Sequence, residues 1–436
     1  MLVIILRVKE NEVRTKSKLA TLKAGRLAQE ALGVTASILE QCGSRLSGSE
    51  ESLTAASLIK TAFEGVCDQI ETQSIAIDQN ALKRIFTLVT YAYLPIVLLN
   101  LLGLPYLSVV ISGLLCWYAF DTLGRAHPRC VWAKEKGINV HGVIEPKEDV
   151  HSTIIFSAHH DSAPIEYFER KKASLPVALV VGSFLLSFFQ SVVEVTQLRL
   201  FRPNVPPILL LLVGVGLLGG FYYVRPLRFY YTDTISPGAG DNLISVGILT
   251  ALAQHFRSNR AKNTRIIVAS FDGEELALQG SRAWYEAHSE AFEGATVLNF
   301  DAIYDPKHLV FLERDANATL PLSKELAREC VHIAKAMGYD AKAESIPIFG
   351  GATDAASAAR AGLTATTLSA ASYSDGVYHS SDDTLSAIDP LAVEHAISIA
   401  IRLAWVIDEG REGQEIVEEV VEEENPELSF SKLSRR

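Results

Sequence analysis

Three stretches of the chain carry no charged residue: residues 85–120, 173–193 and 205–224. The second and third, of 21 and 20 residues, match the length needed to cross a bilayer, about 20 apolar residues. They are joined by residues 194–204, a short loop with Arg199 and Arg202. The first, of 36 residues, is too long for one span, and Asn100, Gly103 and Pro105 interrupt its middle. That pattern predicts a tight helical hairpin of two short spans. A soluble helix is seldom apolar on every face over such lengths. Met1–Leu6 is too short for a signal-peptide core.

Outside these stretches the pattern changes to short apolar runs alternating with amphipathic ones. Strands are predicted at 71–77, 139–144, 151–158, 265–270, 296–300 and 363–368. Helices are predicted at 53–64, 243–256, 322–336, 355–361 and 391–406. Alternating strands and helices imply an α/β fold, a mainly parallel mixed sheet flanked by helices. The chain therefore divides into an N-terminal part of this domain (1–84), transmembrane hairpin 1 (85–120), a second piece of the domain (121–172), transmembrane hairpin 2 (173–224), the remainder of the domain (225–407), and an acidic, flexible tail (408–436). No internal repeat is visible.

Composition adjusts this picture. The chain has 436 residues, 48% of them hydrophobic, and a mean hydropathy of +0.18, high for a purely soluble protein. Intrinsic disorder, collagen and a disulfide miniprotein are excluded. A net charge of −11 argues against nucleic acid as a partner. Five scattered cysteines make no disulfide framework and suit a reducing compartment. Lys and Arg near the spans are uneven. Ten (Lys83, Arg84, Arg125, Arg129, Lys134, Arg170, Lys171, Lys172, Arg225, Arg228) lie on one side, and only Arg199 and Arg202 at the hairpin tips. The positive-inside rule predicts a multi-pass protein with the ten, both termini and the α/β domain in the cytoplasm.

The chemistry-bearing residues follow the predicted strands. His159-His160-Asp161 comes after the strand ending at Ala158, Gly240-Asp241-Asn242 opens a helix, and Glu274-Glu275 follows RIIVAS. Asp301 ends TVLNF, and His379 comes after LTATTL. Strand C-terminal ends share one edge of a parallel sheet, where sites are built. His159, Asp241, Glu275, Asp301 and His379 can therefore converge. Two imidazoles and three carboxylates suit zinc, and one carboxylate can bridge two ions. Glu274 is left uncommitted, able to take a proton from water. Singly, each has an ordinary reading: a hydrogen-bonded loop histidine, an N-cap aspartate, acidic residues at a helix start. Their order, spacing and strand-end placement are what make the set specific. His160 is expected to be structural.

The motif order, H-x-D, D-N, E-E, N-x-D, Y-H-x-x-x-D-T, resembles that of the zinc exopeptidases of the bacterial leucyl aminopeptidase and aminopeptidase Y type. Here it reads His159/Asp161, Asp241/Asn242, Glu274/Glu275, Asn299/Asp301 and Tyr378/His379/Asp383/Thr384. Gly43-Ser44-Arg45, Gly48-Ser49, Gly280-Ser281 and Gly350 to Asp354 also resemble family segments. The resemblance implies two Zn2+ ions, one on His159 and Asp301, the other on Glu275 and His379, with Asp241 bridging. It implies that Asp161 accepts the His159 ring N–H, that the Asp241–Asn242 peptide is cis, and that Glu274 is general base and then acid. It further implies a peptide substrate, hydrolysed from its N-terminus by a zinc-bridging hydroxide. The chain departs from the family at Gly240, often Asp, at Leu243 to Ser245, often Ser-Gly, and at Ala355, often His. A glutaminyl-cyclase-like acyltransferase of the same fold, with one zinc, is the nearest alternative, followed by an inactive receptor or scaffold. The lipid bilayer is the second expected partner.

Overall fold

The computed structural model describes residues 24–102, 104–124, 133–166, 215, 219–222, 224–347, 350–372 and 375–410. A nine-stranded mixed sheet holds these segments together. Its strands are β1 (Gln69–Ile77), β2 (Glu135–Ile144), β3 (Ser152–His159), β6 (Thr264–Phe271), β7 (Thr296–Ile303), β8 (Leu309–Asp315), β9 (Leu320–Pro321), β10 (Ala341–Ser345) and β11 (Thr364–Ala370). The spatial order is β1-β2-β6-β3-β7-β11-β8-β10, with β9 beside β8. The centre, β6-β3-β7-β11, is parallel; β1, β2 and β6 pair antiparallel at one side, and β11 meets β8 antiparallel at the other.

β3 shows why the centre is buried on both faces. Ile154 and Phe156 enter one apolar cluster with Phe256 and Phe300, while Ile155 enters another with Trp284 and Val297. Alternate side chains leave a strand on opposite faces, so STIIFSAH needs a layer on each side. The first cluster is covered by α1 (residues 24–42), α2 (Glu50–Glu64), α5 (Ile244–Ser258), α7 (Lys324–Ala336) and α9 (Pro390–Glu409). The second is covered by α6 (Gln279–His288) and α8 (Asp354–Arg360). α9 is apolar enough to cross a bilayer, but 56% of its apolar window is buried in the protein, as for a core helix.

Helix starts follow their caps. α2 begins at Glu50 rather than 53 because the Ser49 hydroxyl accepts the Ser52 N–H at 3.2 Å. α7 begins at Lys324 rather than 322 because Ser323 caps Leu326. β8, β10 and α6 have no counterpart among the elements predicted from sequence.

The first uncharged stretch forms α3 (Ala81–Leu101) and α4 (Pro105–Ala119), with Pro105 in the first turn of α4. Ala81–Leu99 has a mean hydropathy of 1.5 and is mostly unburied. Leu98, Leu107, Val110, Leu114 and Trp117 are exposed. On the inner side, the Ser108 hydroxyl donates to the Ile96 carbonyl at 3.1 Å. Residues 173–214, most of the second predicted hairpin, lie outside the described residues, as does the tail from 411. The end of that stretch, Phe221 and Val224, packs with Leu227 on Phe86, Tyr93 and Val97 of α3. A separate two-stranded ribbon, β4 (Pro164–Glu166) with β5 (Tyr231–Ile235), comes from the chain on either side of the second predicted hairpin.

Candidate metal centre

His159 closes β3, Asp301 lies in β7, and Asp241, Glu274, Glu275 and His379 stand on the loops and turns at the same sheet edge. Asp241 is at their centre. Its Oδ1 lies 3.3 Å from His159 Nε2 and its Oδ2 3.1 Å from His379 Nε2. Glu275 Oε2 is 3.2 Å from the same nitrogen of His379. Asp301 completes a set with His159 and Asp241, and Glu275 one with Asp241 and His379, the ligand atoms of each set within 4.8 Å of one another. The two sets share Asp241. A third set joins His159, Glu274 and Glu275, but Glu274 Oε2 stands farther from His159 Nε2, at 3.7 Å, than Asp241 does.

The surroundings of this cluster explain its shape. The Asp241–Asn242 peptide is cis. Asp383 accepts the backbone N–H of Gly240 at 2.7 Å and of Asp241 at 3.2 Å, so the second half of the Y-H-x-x-x-D-T motif fixes the turn that aims Asp241. Gly240 faces the ring of Tyr304, which a Cβ there would overlap; the space is filled from the other side of the site. Asp161 accepts the Ser47 hydroxyl at 2.6 Å and the N–H groups of Glu274 and Glu275 at 3.3 and 3.2 Å. His159 Nδ1 lies 3.2 Å from the Asp161 carbonyl and 3.4 Å from its carboxylate. The main chain of Asp161 thus shares the role expected of its side chain alone, and Nε2 is left with its lone pair toward the carboxylates.

Sequence reasoning missed Arg45. It is fully buried, and its guanidinium donates to the carbonyls of His160 (2.7 Å), Pro237 (2.9 Å) and Gly238 (2.8 Å). It ties the H-x-D loop to the turn before Asp241. Burial lowers its pKa to about 10, and Asp161, Asp383 and Asp241 act in the opposite direction. Its only sequence signal is its place in the Gly43 to Ser49 segment. His160 is structural, as expected: it is buried, with Nδ1 2.9 Å from the Ser270 hydroxyl.

Electrostatics favour a cation here. Burial pushes the carboxyls of Glu274, Glu275 and Asp301 upward, and neighbouring carboxylates push in the same direction against the histidines. Burial also opposes a charge on His159, yet Glu274, Asp161 and Asp241 outweigh it and raise that imidazole well above its usual range. The same carboxylate field that raises this imidazole favours a metal cation at the site. Glu275 Oε1 is buried with no hydrogen-bond partner among the described residues. Nitrogen and carboxylate donors in sets of three fit zinc.

A second cluster has another character. Glu71 lies 3.8 Å from His141 Nε2 and 3.9 Å from His288 Nε2. Trp284 Nε1 donates to His141 Nδ1 at 3.1 Å. An indole only donates, so the His141 proton is on Nε2 and His141 offers the cluster no lone pair. His288 donates from Nδ1 to the Trp284 carbonyl at 2.8 Å, which leaves its Nε2 and Glu71 as two donors, short of the three or four protein ligands of a zinc site.

No curated protein matches the chain. Solved structures resemble it at low identity. The LapA aminopeptidase of Legionella pneumophila is 11% identical, with a TM-score of 0.51 over 90% of this chain and 74% of that one. BSAP, a zinc aminopeptidase from Bacillus subtilis, is 14% identical, with 0.52 over 86% and 95%. An Acidobacteriales bacterium glutaminyl cyclase is 16% identical, with 0.51 over 88% and 94%. The fold is that of the zinc-dependent exopeptidases, and residues 227–404, which carry Asp241, Glu274, Glu275, Asp301 and His379, match Peptidase family M28.

Proposed function

We propose that this chain is a membrane-anchored aminopeptidase that works with two zinc ions. The observation that carries the reading is Asp241, one carboxylate between His159 and His379, each with a further carboxylate beside it. His159 and Asp301 would hold one ion and Glu275 and His379 the other, with Asp241 shared between them. Bound zinc supplies Lewis acidity, which polarises a carbonyl and acidifies water. Glu274, in a buried site that favours a proton on its carboxyl, takes the proton of the attacking water and delivers it to the leaving amine. Asp161 holds the backbone of both glutamates and the His159 ring in place.

The apolar stretches support anchoring. An exposed row of Leu98, Leu107, Val110, Leu114 and Trp117 suits lipid better than water. On this reading the three stretches make two hairpins of two spans each, the first stretch forming one and the second and third the other, with both termini and the catalytic domain on the cytoplasmic side by charge.

The test is zinc content together with amino-acid release from free and N-acetylated peptides. Two zincs and release only from free N-termini support the reading. The second reading, a cyclase, is favoured by the glutaminyl cyclases among the similar structures. It wins if one zinc binds at saturation and N-terminal glutamine cyclises. Neither product with zinc bound points to a receptor or scaffold.

A further inference from the structure

Tyr304 follows the last residue of β7 and stands three residues beyond Asp301. In a regular strand, residues three apart point to opposite faces. Here both meet the turn that carries Asp241: Asp301 shares a ligand set with it, and the Tyr304 ring lies against Gly240. A bulge explains this. β7 pairs Phe300 with Leu368 and Ile303 with Ala370 of β11, three residues advancing against two, and Ala302 between them takes a left-handed φ of 56°. An extra residue of this kind re-aims the side chains beside it. The backbone of Tyr304 is then fixed. Its N–H donates to the Ala370 carbonyl at 3.0 Å, and its carbonyl accepts the Asp389 N–H at 2.8 Å.

The ring and the hydroxyl have separate effects. A Cβ at Gly240 would overlap Cδ1, Cε1 and Cζ of the ring, so the ring is packed directly on the turn and limits how it can move. Tyr304 is only 5% exposed, and its hydroxyl oxygen is buried with no hydrogen-bond partner among the described residues. Burial and the carboxylates of Asp383, Asp241 and Glu275 hold the phenol well above its usual range. It therefore keeps a proton to donate, and a buried donor left unpaired is costly. Of the three carboxylates, Asp241 and Glu275 belong to the ligand sets and Asp383 does not. Asp383 accepts one N–H on each oxygen, that of Gly240 on Oδ1 and that of Asp241 on Oδ2. An ionised carboxylate has about four acceptor sites, so it can take a third donor. The attraction is mutual, since the phenol favours a charge on Asp383.

We propose that Tyr304 is a positioning residue for Asp241: its ring backs the Gly240–Asp241 turn, and its hydroxyl donates to Asp383 when cations occupy the two ligand sets. Cations take up the charge of Asp241 and Glu275 and leave Asp383 as the strongest acceptor for the phenol. Asp383 then holds the turn through two backbone N–H groups while Tyr304 holds Asp383. The proposal rests on the two-zinc reading and adds to it a residue outside the motifs that carry the ligands.

The experiment uses the full chain in detergent, stripped of metal and titrated with zinc against a competing chelator. Tyr304→Phe keeps the ring and removes the O–H. Its zinc affinity should fall about 10–100-fold, and the visible spectrum of its cobalt(II)-loaded form should shift. Its metal-free form should unfold at the same denaturant concentration as the unmodified chain, or at a higher one, because the group removed is a buried donor without a partner. A residue that served packing alone would lose affinity and metal-free stability together. That joint loss, or an unchanged affinity and spectrum, overturns the proposal. Gly240→Ala should weaken zinc binding through its clash with the ring, and adding Tyr304→Ala should restore part of it. If Tyr304→Phe does not fold, this pair decides, and a double variant no better than Gly240→Ala overturns the proposal. An unmodified chain that binds fewer than two zincs at saturation overturns the two-zinc reading, and the proposal with it.

Discussion

Asn242 donates its side-chain amide to the carbonyl of Phe300 at 2.8 Å, and its Oδ1 accepts the N–H of Ala302 at 3.3 Å. It thereby brackets Asp301 from both sides and locks that strand to the turn carrying Asp241. Two candidate ligands of one ion are held in register by a residue outside the candidate ligand set.

Two zinc ions per chain are expected, about 3.5–4 Å apart. Asp301→Ala should leave one at saturation, measured as metal per protein. Asn242→Ala should weaken the same ion about 10–100-fold while Asp301 is still present. Full retention of two tightly bound ions in Asp301→Ala would remove Asp301 from the ligand set.

Glu274→Gln keeps the shape of the side chain and loses its capacity to take a proton. Its kcat should fall by at least about 10²-fold, with zinc content unchanged. Near-normal turnover would exclude Glu274 as the base.

Asp161→Asn should behave differently. Its carboxylate accepts from Ser47, Glu274 and Glu275 and stands beside His159, so zinc affinity should drop about 10–100-fold. A competitive chelator titration reads this directly, and unchanged affinity would limit Asp161 to packing.

Away from the metal centre, burial and the nearby His288 lower His141 to about 4, and Trp284 occupies its Nδ1 lone pair. The folded chain therefore resists a proton that the unfolded chain accepts at its ordinary value near 6.5. Stability from this residue is complete above about pH 6.5 and is lost as the pH falls toward 4, by up to about 3 kcal/mol. His141→Asn keeps an acceptor for Trp284 and cannot titrate. Denaturant unfolding of the two chains should diverge over that pH window, the variant losing less; parallel curves would contradict the assignment.

For topology, the charge bias is tested with single cysteines in a cysteine-free background. Gln197→Cys should react with an impermeant reagent on intact cells, and Ser434→Cys should not. The opposite pattern would place the catalytic domain outside the cytoplasm.

What could be read from the sequence was local. β3 and β7 were legible because their mostly apolar runs, followed by His159 and Asp301, mark strands buried on both faces. The break between α3 and α4 was legible because Pro105 can start a helix and seldom continue one. β4 and β5 were not, since partners of three and five residues separated by the second apolar stretch have no local pattern to connect them. Arg45 was not, because its burial depends on three carbonyls supplied by distant loops.

The donors and their order are written in the chain, because residue type and strand-end position are local properties. Which atoms face one another depends on the folded structure. The two oxygens of Asp241 meet imidazoles from positions 159 and 379 because a parallel sheet brings strand ends together whatever their separation along the chain. It also decided which histidine nitrogens are open. Asp161 leaves Nε2 of His159 facing the carboxylates, while the Trp284 indole removes His141 as a donor from the Glu71–His141–His288 cluster. Tautomers are set by hydrogen-bond partners, and those partners exist only once the chain has folded.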